Sequence, residues 1–190
     1  MSEAVQRAAL YEIFSQLFFK PDNRKREAAE SFIKIAKADN IEIEDFDPGT
    51  LEIEYNRLFV GPGHVPCPPY ESVYRKDRPL MDRGLVMGPS AIDVEKRYRQ
   101  AGLQKSKDFH DLPDHIGVEM EFMGYLCEME AKDGAKKWRK MQDEFLKLHI
   151  KPWYIEFLEC IKKHSRSTFY SAAATELKGF IEEELEGENP

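Results

Sequence analysis

Apolar residues at Val5, Ala8, Ala9, Tyr11, Ile13, Phe14, Leu17 and Phe18 recur at the spacing of one helix face, and Ser2 is placed to cap the start. Pro21-Asp22 ends this helix, and Asp22 or Asn23 opens a second one. Its inner face is predicted to carry Ala28, Phe32, Ile35 and Ala36, fading at Asp39-Asn40. A third, short helix is predicted from Pro48-Gly49 to Phe59, turning Ile53, Leu58 and Phe59 inward. After Ser90 the helical period returns with Ile92, Tyr98 and Leu103. The strongest helix spans Pro113 to Ala131. Asp111 is its expected cap, Pro113 sits in the first turn, and Asp114 faces the positive helix end. Ile116, Met120, Met123, Cys127 and Glu130 follow at intervals of three and four, until Asp133-Gly134 breaks the chain. Trp138, Met141, Phe145 and Leu148 mark the next helix, which Pro152 ends or kinks. Ile155, Leu158 and Ile161 form one more, and Ala172 to Leu185 the last, with an acidic end expected to fray.

No segment alternates with period two, and no internal repeat is present. The expected fold is therefore all-α, a single domain over 1–190 built as a bundle of about eight to ten helices around one core. One segment resists this reading: residues 60–89 hold six prolines and four glycines, which neither helix nor sheet tolerates. The same segment carries Val65, Tyr70, Val73, Tyr74, Leu80, Leu85, Val86 and Met87, more apolar anchoring than a solvated spacer needs. It reads as a long ordered loop laid across the bundle, and long loops packed by their own side chains tend to be functional.

Composition narrows the function. The 190 residues, 42% of them apolar, are enough for a core, and the formal charge of -7 opposes a sequence-independent nucleic-acid binder. The same charge attracts a cationic partner, or serves solubility alone. No apolar run approaches the ~18 residues of a membrane span. The first helix has Glu12 in its middle and no basic leader, unlike a secretory signal. Cys67, Cys127 and Cys160 are odd in number, far apart and without a C-x-x-C, so neither a disulfide framework nor a zinc knuckle is expected, and a reducing cytoplasm fits.

Two clusters could carry chemistry. Asp114-His115 and Glu119, one turn apart, form a possible proton-transfer pair, and with His64 a possible metal site. The plainer reading is a capped helix start with a surface ion pair. His149 and Trp153, four residues apart, either face a groove or fill a helix junction. No H-E-x-x-H, P-loop or glycine elbow is present, and no base is placed to activate Ser72 or Cys67. A small metal-dependent or acid–base enzyme using His64, His115 and Glu119, and a helix-binding adaptor, both stay open.

Read in order, Glu54-Tyr-Asn-Arg-Leu-Phe-Val-Gly-Pro-Gly63, Pro68-Pro-Tyr-Glu-Ser-Val-Tyr74, Leu112-Pro-Asp-His-Ile116 with Glu119-Met-Glu-Phe-Met123, and His149 with Trp153 resemble the TorD/DmsD-like cytoplasmic chaperones of molybdoenzyme maturation. The likeness covers roughly residues 54 to 153, with Met120 where leucine is common in the family. It implies an all-helical, non-enzymatic protein without a cofactor of its own. Its implied partners are the twin-arginine signal peptide and apo catalytic subunit of a molybdopterin-containing oxidoreductase of the DMSO-reductase superfamily, and cofactor-insertion machinery. It would hold the peptide until cofactor insertion precedes export. The implied peptide site is Tyr70, Glu71, Ser72, Asp114 and His115, to which Glu119 and Trp153 are added here. The client and any nucleotide are not legible from these residues; a monomer is the default, with dimerisation by helix exchange open. The chemistry agrees: two guanidiniums followed by an apolar stretch call for carboxylates, Glu71 and Asp114, beside an apolar groove lined by Tyr70, Tyr74, Met123 and Trp153.

Overall fold

A computed structural model describes residues 2–21, 25–44, 47–80, 84–85, 87–104 and 111–187. The expected helix start at Asp22 or Asn23 and the expected anchor Val86 lie outside the described residues. Nine α-helices form the described chain: α1 (Glu3–Leu17), α2 (Lys25–Ala38), α3 (Pro48–Tyr55), α4 (Glu71–Tyr74), α5 (Pro89–Gln100), α6 (Ile116–Asp133), α7 (Lys136–Phe145), α8 (Tyr154–His164) and α9 (Thr168–Glu186). Two π-helical turns follow α3 and α7: π1 (Asn56–Val60) and π2 (Leu146–Ile150). The class is all-α, as expected; beyond the helices, one isolated antiparallel bridge joins Tyr70 to His115.

The chain divides into two compact units, Met1–Ser15 with Tyr70–Trp153, and Gln16–Pro69 with Tyr154–Pro190. In the first, α6 packs along α7. Ile116, Met120, Met123 and Cys127 are buried as the spacing predicts, and Phe122 and Leu126 widen the stripe. Gly134, at φ 64°, ends α6 in the left-handed conformation that glycine adopts without penalty. Gly124 lets α1 approach α6 closely: a Cβ there would meet Tyr11 Cβ at 3.4 Å and the Ala8 carbonyl at 3.5 Å. Tyr98, Phe122 and Phe145 stack into one aromatic cluster, Tyr98 to Phe122 at 4.6 Å between centroids and Phe122 to Phe145 at 4.8 Å.

In the second unit α8 packs on α9. Phe59 makes edge contacts with Tyr55 and Tyr170. Glu54 is buried but well paired: it takes the fork of Arg57, both bonds at 2.7 Å, and the Arg166 amide at 2.6 Å. Burial alone would raise its pKa, yet these bonds bring it below the usual carboxylate range.

Several details differ from the sequence reading. Cys67 and Cys160 form a disulfide, their Cα atoms 5.8 Å apart across 93 residues, while Cys127 is buried as a thiol that donates to Gln142 Oε1 at 3.5 Å. Sequence distance hid a pairing that depends on where the fold returns α8. Ile53, Ile92, Leu148 and Ile155 are exposed, not inward. In α3 the buried positions are Leu51, Glu54 and Tyr55, which leaves Ile53 on the opposite face. In α5 they are Ser90, Ala91 and Val94. In α8, Tyr154, Phe157, Leu158 and Ile161 point inward. Leu148 turns out because π2 shifts the register, burying Leu146, His149 and Ile150 instead. Of the proposed loop anchors, Leu80, Leu85 and Met87 are exposed, so the packing of this segment lies in its first half, where α4 also forms.

Candidate functional site

The site grows from one sequence accident: α4 is four residues long, and its start is fastened to the start of α6, forty-odd residues on. The Glu71 amide donates to the Asp114 carbonyl at 2.9 Å, and the Ser72 amide donates to Asp114 Oδ2 at 3.1 Å. Ser72 returns its carbonyl to the Gly84 amide at 2.9 Å. Tyr70 sets its ring edge-on to His115 at 5.3 Å and donates its hydroxyl to Asp111 Oδ1 at 3.0 Å. Asp111 is thus occupied with Tyr70 and is not the helix cap. That role belongs to His115, whose Nδ1 accepts the Gly117 amide at 3.0 Å. An accepting Nδ1 carries a lone pair, so the imidazole proton sits on Nε2, 3.9 Å from Asp111 Oδ2.

All seven residues picked from the sequence, Tyr70, Glu71, Ser72, Asp114, His115, Glu119 and Trp153, fall in the first unit and meet in one neighbourhood. They are deeper than expected: Glu71, Asp114 and Glu119 are fully closed off from solvent, and His115 and Trp153 nearly so. The surface ion pair of the plainer reading is therefore wrong, because burial removes both partners from water. Trp153 stacks on Tyr74 with ring centroids 5.6 Å apart.

Burial governs the electrostatics. Glu119 has its pKa pushed well above the carboxylate range, first by loss of water and then by the charges of Glu71 and Asp114, with the Trp153 indole offsetting part. Asp114 is raised by burial too, and the Ser72 bonds partly counter this. The Tyr98 hydroxyl, which donates to the Pro113 carbonyl at 2.8 Å, is held far up by burial and by the same carboxylates, Glu119 foremost. Neither oxygen of Glu119, nor Oδ1 of Asp114, meets a donor at full hydrogen-bond geometry.

Four residues outside those seven complete the cluster. Arg75, one turn after Glu71, sends its guanidinium to Glu71 Oε1 and forks onto Asp77 with two bonds of 2.6 Å. The spacing of four between Glu71 and Arg75 was a legible signal. Asp93 lies 3.5 Å from His149 Nε2, and His149 Nδ1 lies 3.1 Å from Glu71 Oε2. His149 therefore fills the helix junction and belongs to the polar cluster as well. Near it, a cleft of about 630 Å³ is lined by Tyr98, Leu103, Pro113, Val118, Phe122 and Tyr125, together with Glu95, Arg99, Gln104 and Glu121.

Metal chemistry finds little footing. Among the described residues no three His, Cys, Asp or Glu side chains are arranged to hold a metal ion. His64 is exposed and belongs to the second unit, whereas His115 and Glu119 are buried in the first.

Comparison with known proteins gives a consistent picture. The family model described as nitrate reductase delta subunit matches residues 20–159. The probable Tat proofreading chaperone DmsD of Haemophilus influenzae is 28% identical over 158 residues, 83% of this chain and 71% of that protein. The selenate reductase assembly chaperone protein of Thauera selenatis is 32% identical over 114 residues, 57% of this chain and 55% of that protein. The chain thus spans about half of the second relative's length. The crystal structure of a putative redox enzyme maturation protein from Archaeoglobus fulgidus superposes with a TM-score of 0.61 at 25% identity, covering 92% of this chain and 93% of that one.

Proposed function

We propose, because the chain belongs to the nitrate reductase delta subunit family of TorD/DmsD-like redox enzyme maturation proteins, that it is a maturation chaperone which recognises a twin-arginine signal peptide. Its client is the apo catalytic subunit of a molybdopterin-containing oxidoreductase, held in the cytoplasm for cofactor insertion before export. The relatives carry chaperone names, not enzyme names, and no helix among the described residues is long and apolar enough to cross a membrane.

One observation carries the reading. Glu71, Asp114 and Glu119 are fully buried together, the Arg75 guanidinium and the His149 imidazole both meet Glu71, and Asp114 Oδ1 is left without a donor at full hydrogen-bond geometry, an acceptor-rich cluster near a largely apolar cleft. A ligand with two guanidiniums and an apolar continuation complements both features. Arginine matches carboxylates with a planar fork that lysine lacks, so an Arg-Arg pair binds and a Lys-Lys pair binds less well. The peptide reaches the buried carboxyls from the side of Asp77 and Asp93, whose side chains are 57% and 38% exposed. The net charge of -7 steers the cationic peptide inward, and salt weakens that attraction.

Calorimetric titration of the protein with a twin-arginine signal peptide and its Lys-Lys counterpart tests this. Micromolar or tighter binding that Lys-Lys loses is the expected result; equal affinity for both peptides would refute recognition of the arginine pair.

A further inference from the structure

Arg75 is the most thoroughly held cation of the first unit's polar cluster. Its Nε and Nη2 donate to the two oxygens of Asp77 at 2.6 Å each, while Nη1 donates to Glu71 Oε1 and to the Leu148 carbonyl at 2.9 Å. Every nitrogen of the guanidinium is engaged, by one buried carboxylate, one exposed carboxylate and one main-chain oxygen. This arrangement fits a planar fork and not a point charge. The cradle is also open at one edge: the Arg75 side chain is 9% exposed and that of Asp77 57%.

We infer that Glu71, Asp77 and the Leu148 carbonyl form a guanidinium cradle which Arg75 fills in the free protein, and which an arginine side chain of the partner takes over on binding. The inference rests on the signal-peptide reading for the identity of the partner, but the cradle itself is defined by its own geometry. Arg75 acts as an internal stand-in for the ligand, keeping Glu71 from lying buried without a cation while the site is empty of peptide. A second observation points to a cationic ligand here. Asp114, a fully buried neighbour of Glu71, has its Oδ1 without a donor at full hydrogen-bond geometry, so one guanidinium does not satisfy the acceptors present. The rim suits a peptide that turns apolar after its arginines: Leu148, whose carbonyl belongs to the cradle, is 46% exposed, and Ile92, beside Asp93, is 56% exposed. An internal guanidinium competes at high effective concentration, so the peptide displaces it by adding contacts that Arg75 does not make. The bond exchange is neutral in number: the leaving Arg75 head goes to water as the arriving guanidinium takes its acceptors.

Two measurements test the cradle separately from the function. In the first, the melting temperature of Arg75→Ala is followed with added methylguanidinium, with methylammonium as control. Methylguanidinium is expected to raise it, methylammonium much less, and Arg75→Ala/Asp77→Asn is expected to lose the response. In the second, wild type, Arg75→Ala and Arg75→Lys are titrated with the twin-arginine peptide, Arg75→Lys serving also if the alanine variant does not fold. Removing the competitor tightens binding by about tenfold, one charge-assisted contact's worth of free energy, and Asp77→Asn in the same background cancels the gain. Variants that fold and bind the peptide no more tightly than wild type would overturn the inference while leaving the signal-peptide reading intact. Rescue by methylguanidinium with no peptide binding to any variant would support the cradle and sink that reading. Absence of rescue in a folded Arg75→Ala protein would overturn the cradle.

Discussion

Ser72 and Asp114 are joined through the serine amide and the aspartate carboxylate at 3.1 Å, and this bond fastens the first turn of α4 to the start of α6. Asp114 is fully buried, so the bond has no water to replace it. Asp114→Ala therefore leaves a buried amide without its acceptor and destabilises the first unit by about 1–3 kcal/mol. Asp114→Asn keeps an acceptor oxygen but removes the charge, so it should retain most of the stability and still weaken peptide binding. Urea unfolding and calorimetry on the two variants separate the structural share from the binding share.

His115 caps α6 through Nδ1, which makes it a structural residue as well as a neighbour of Tyr70. His115→Ala should lower stability by about 1 kcal/mol, and His115→Asn, a good N-cap, should recover much of it. Helical content by circular dichroism is expected to stay near wild type in both, because α6 has eighteen residues and extensive buried surface. A collapse of helical signal in His115→Asn would show that the ring itself, and not the cap, holds the region.

Glu119 sets a pH dependence. Its folded pKa lies well above the ordinary value of 4.5, chiefly because it is buried and also because Glu71 and Asp114 are near. The native state then holds a proton that the unfolded state has released, and stability falls as pH rises from about 4.5 through the raised folded pKa. Asp114, raised from 3.8, acts in the same direction. Glu119→Gln, neutral at every pH, should flatten the decline above pH 4.5 and melt higher than wild type at the alkaline end. A melting curve whose pH dependence is unchanged in Glu119→Gln would place the proton elsewhere.

The Cys67–Cys160 bond joins two residues of the second unit across a sequence separation of 93. Thiol counting on unreduced, denatured protein should find one reactive group, Cys127, and three after reduction. Reduction should also lower stability by about 2–5 kcal/mol. Three thiols before reduction would mean that the pair remains open.

The extent to which all this was legible follows from how local each signal is. Helix α6 could be read because its apolar stripe and its Asp133-Gly134 stop are contiguous, and the motifs around Glu71 and Asp114 were recognisable as short runs. The cap was misassigned because Asp111 and His115 are both plausible acceptors, and only the Tyr70 hydroxyl decides that Asp111 is taken. The burial of the acidic cluster was invisible, since it depends on α4 folding against α6 across forty residues. Leu148 was placed inward because a helical period assumes 3.6 residues per turn, which π2 does not keep. Arg75 was overlooked although it lies four residues from Glu71; Asp93, which meets His149 from α5, had no local signal.

The most direct test of where the peptide goes is photocrosslinking with a twin-arginine signal peptide that carries a photoreactive residue next to the arginine pair, mapped by mass spectrometry. Labels concentrated in 70–80, 111–123 and 145–153, and reduced by Asp77→Asn, are the expected result. Labels confined to α8 and α9 would contradict the placement of the site in the acidic cluster of the first unit.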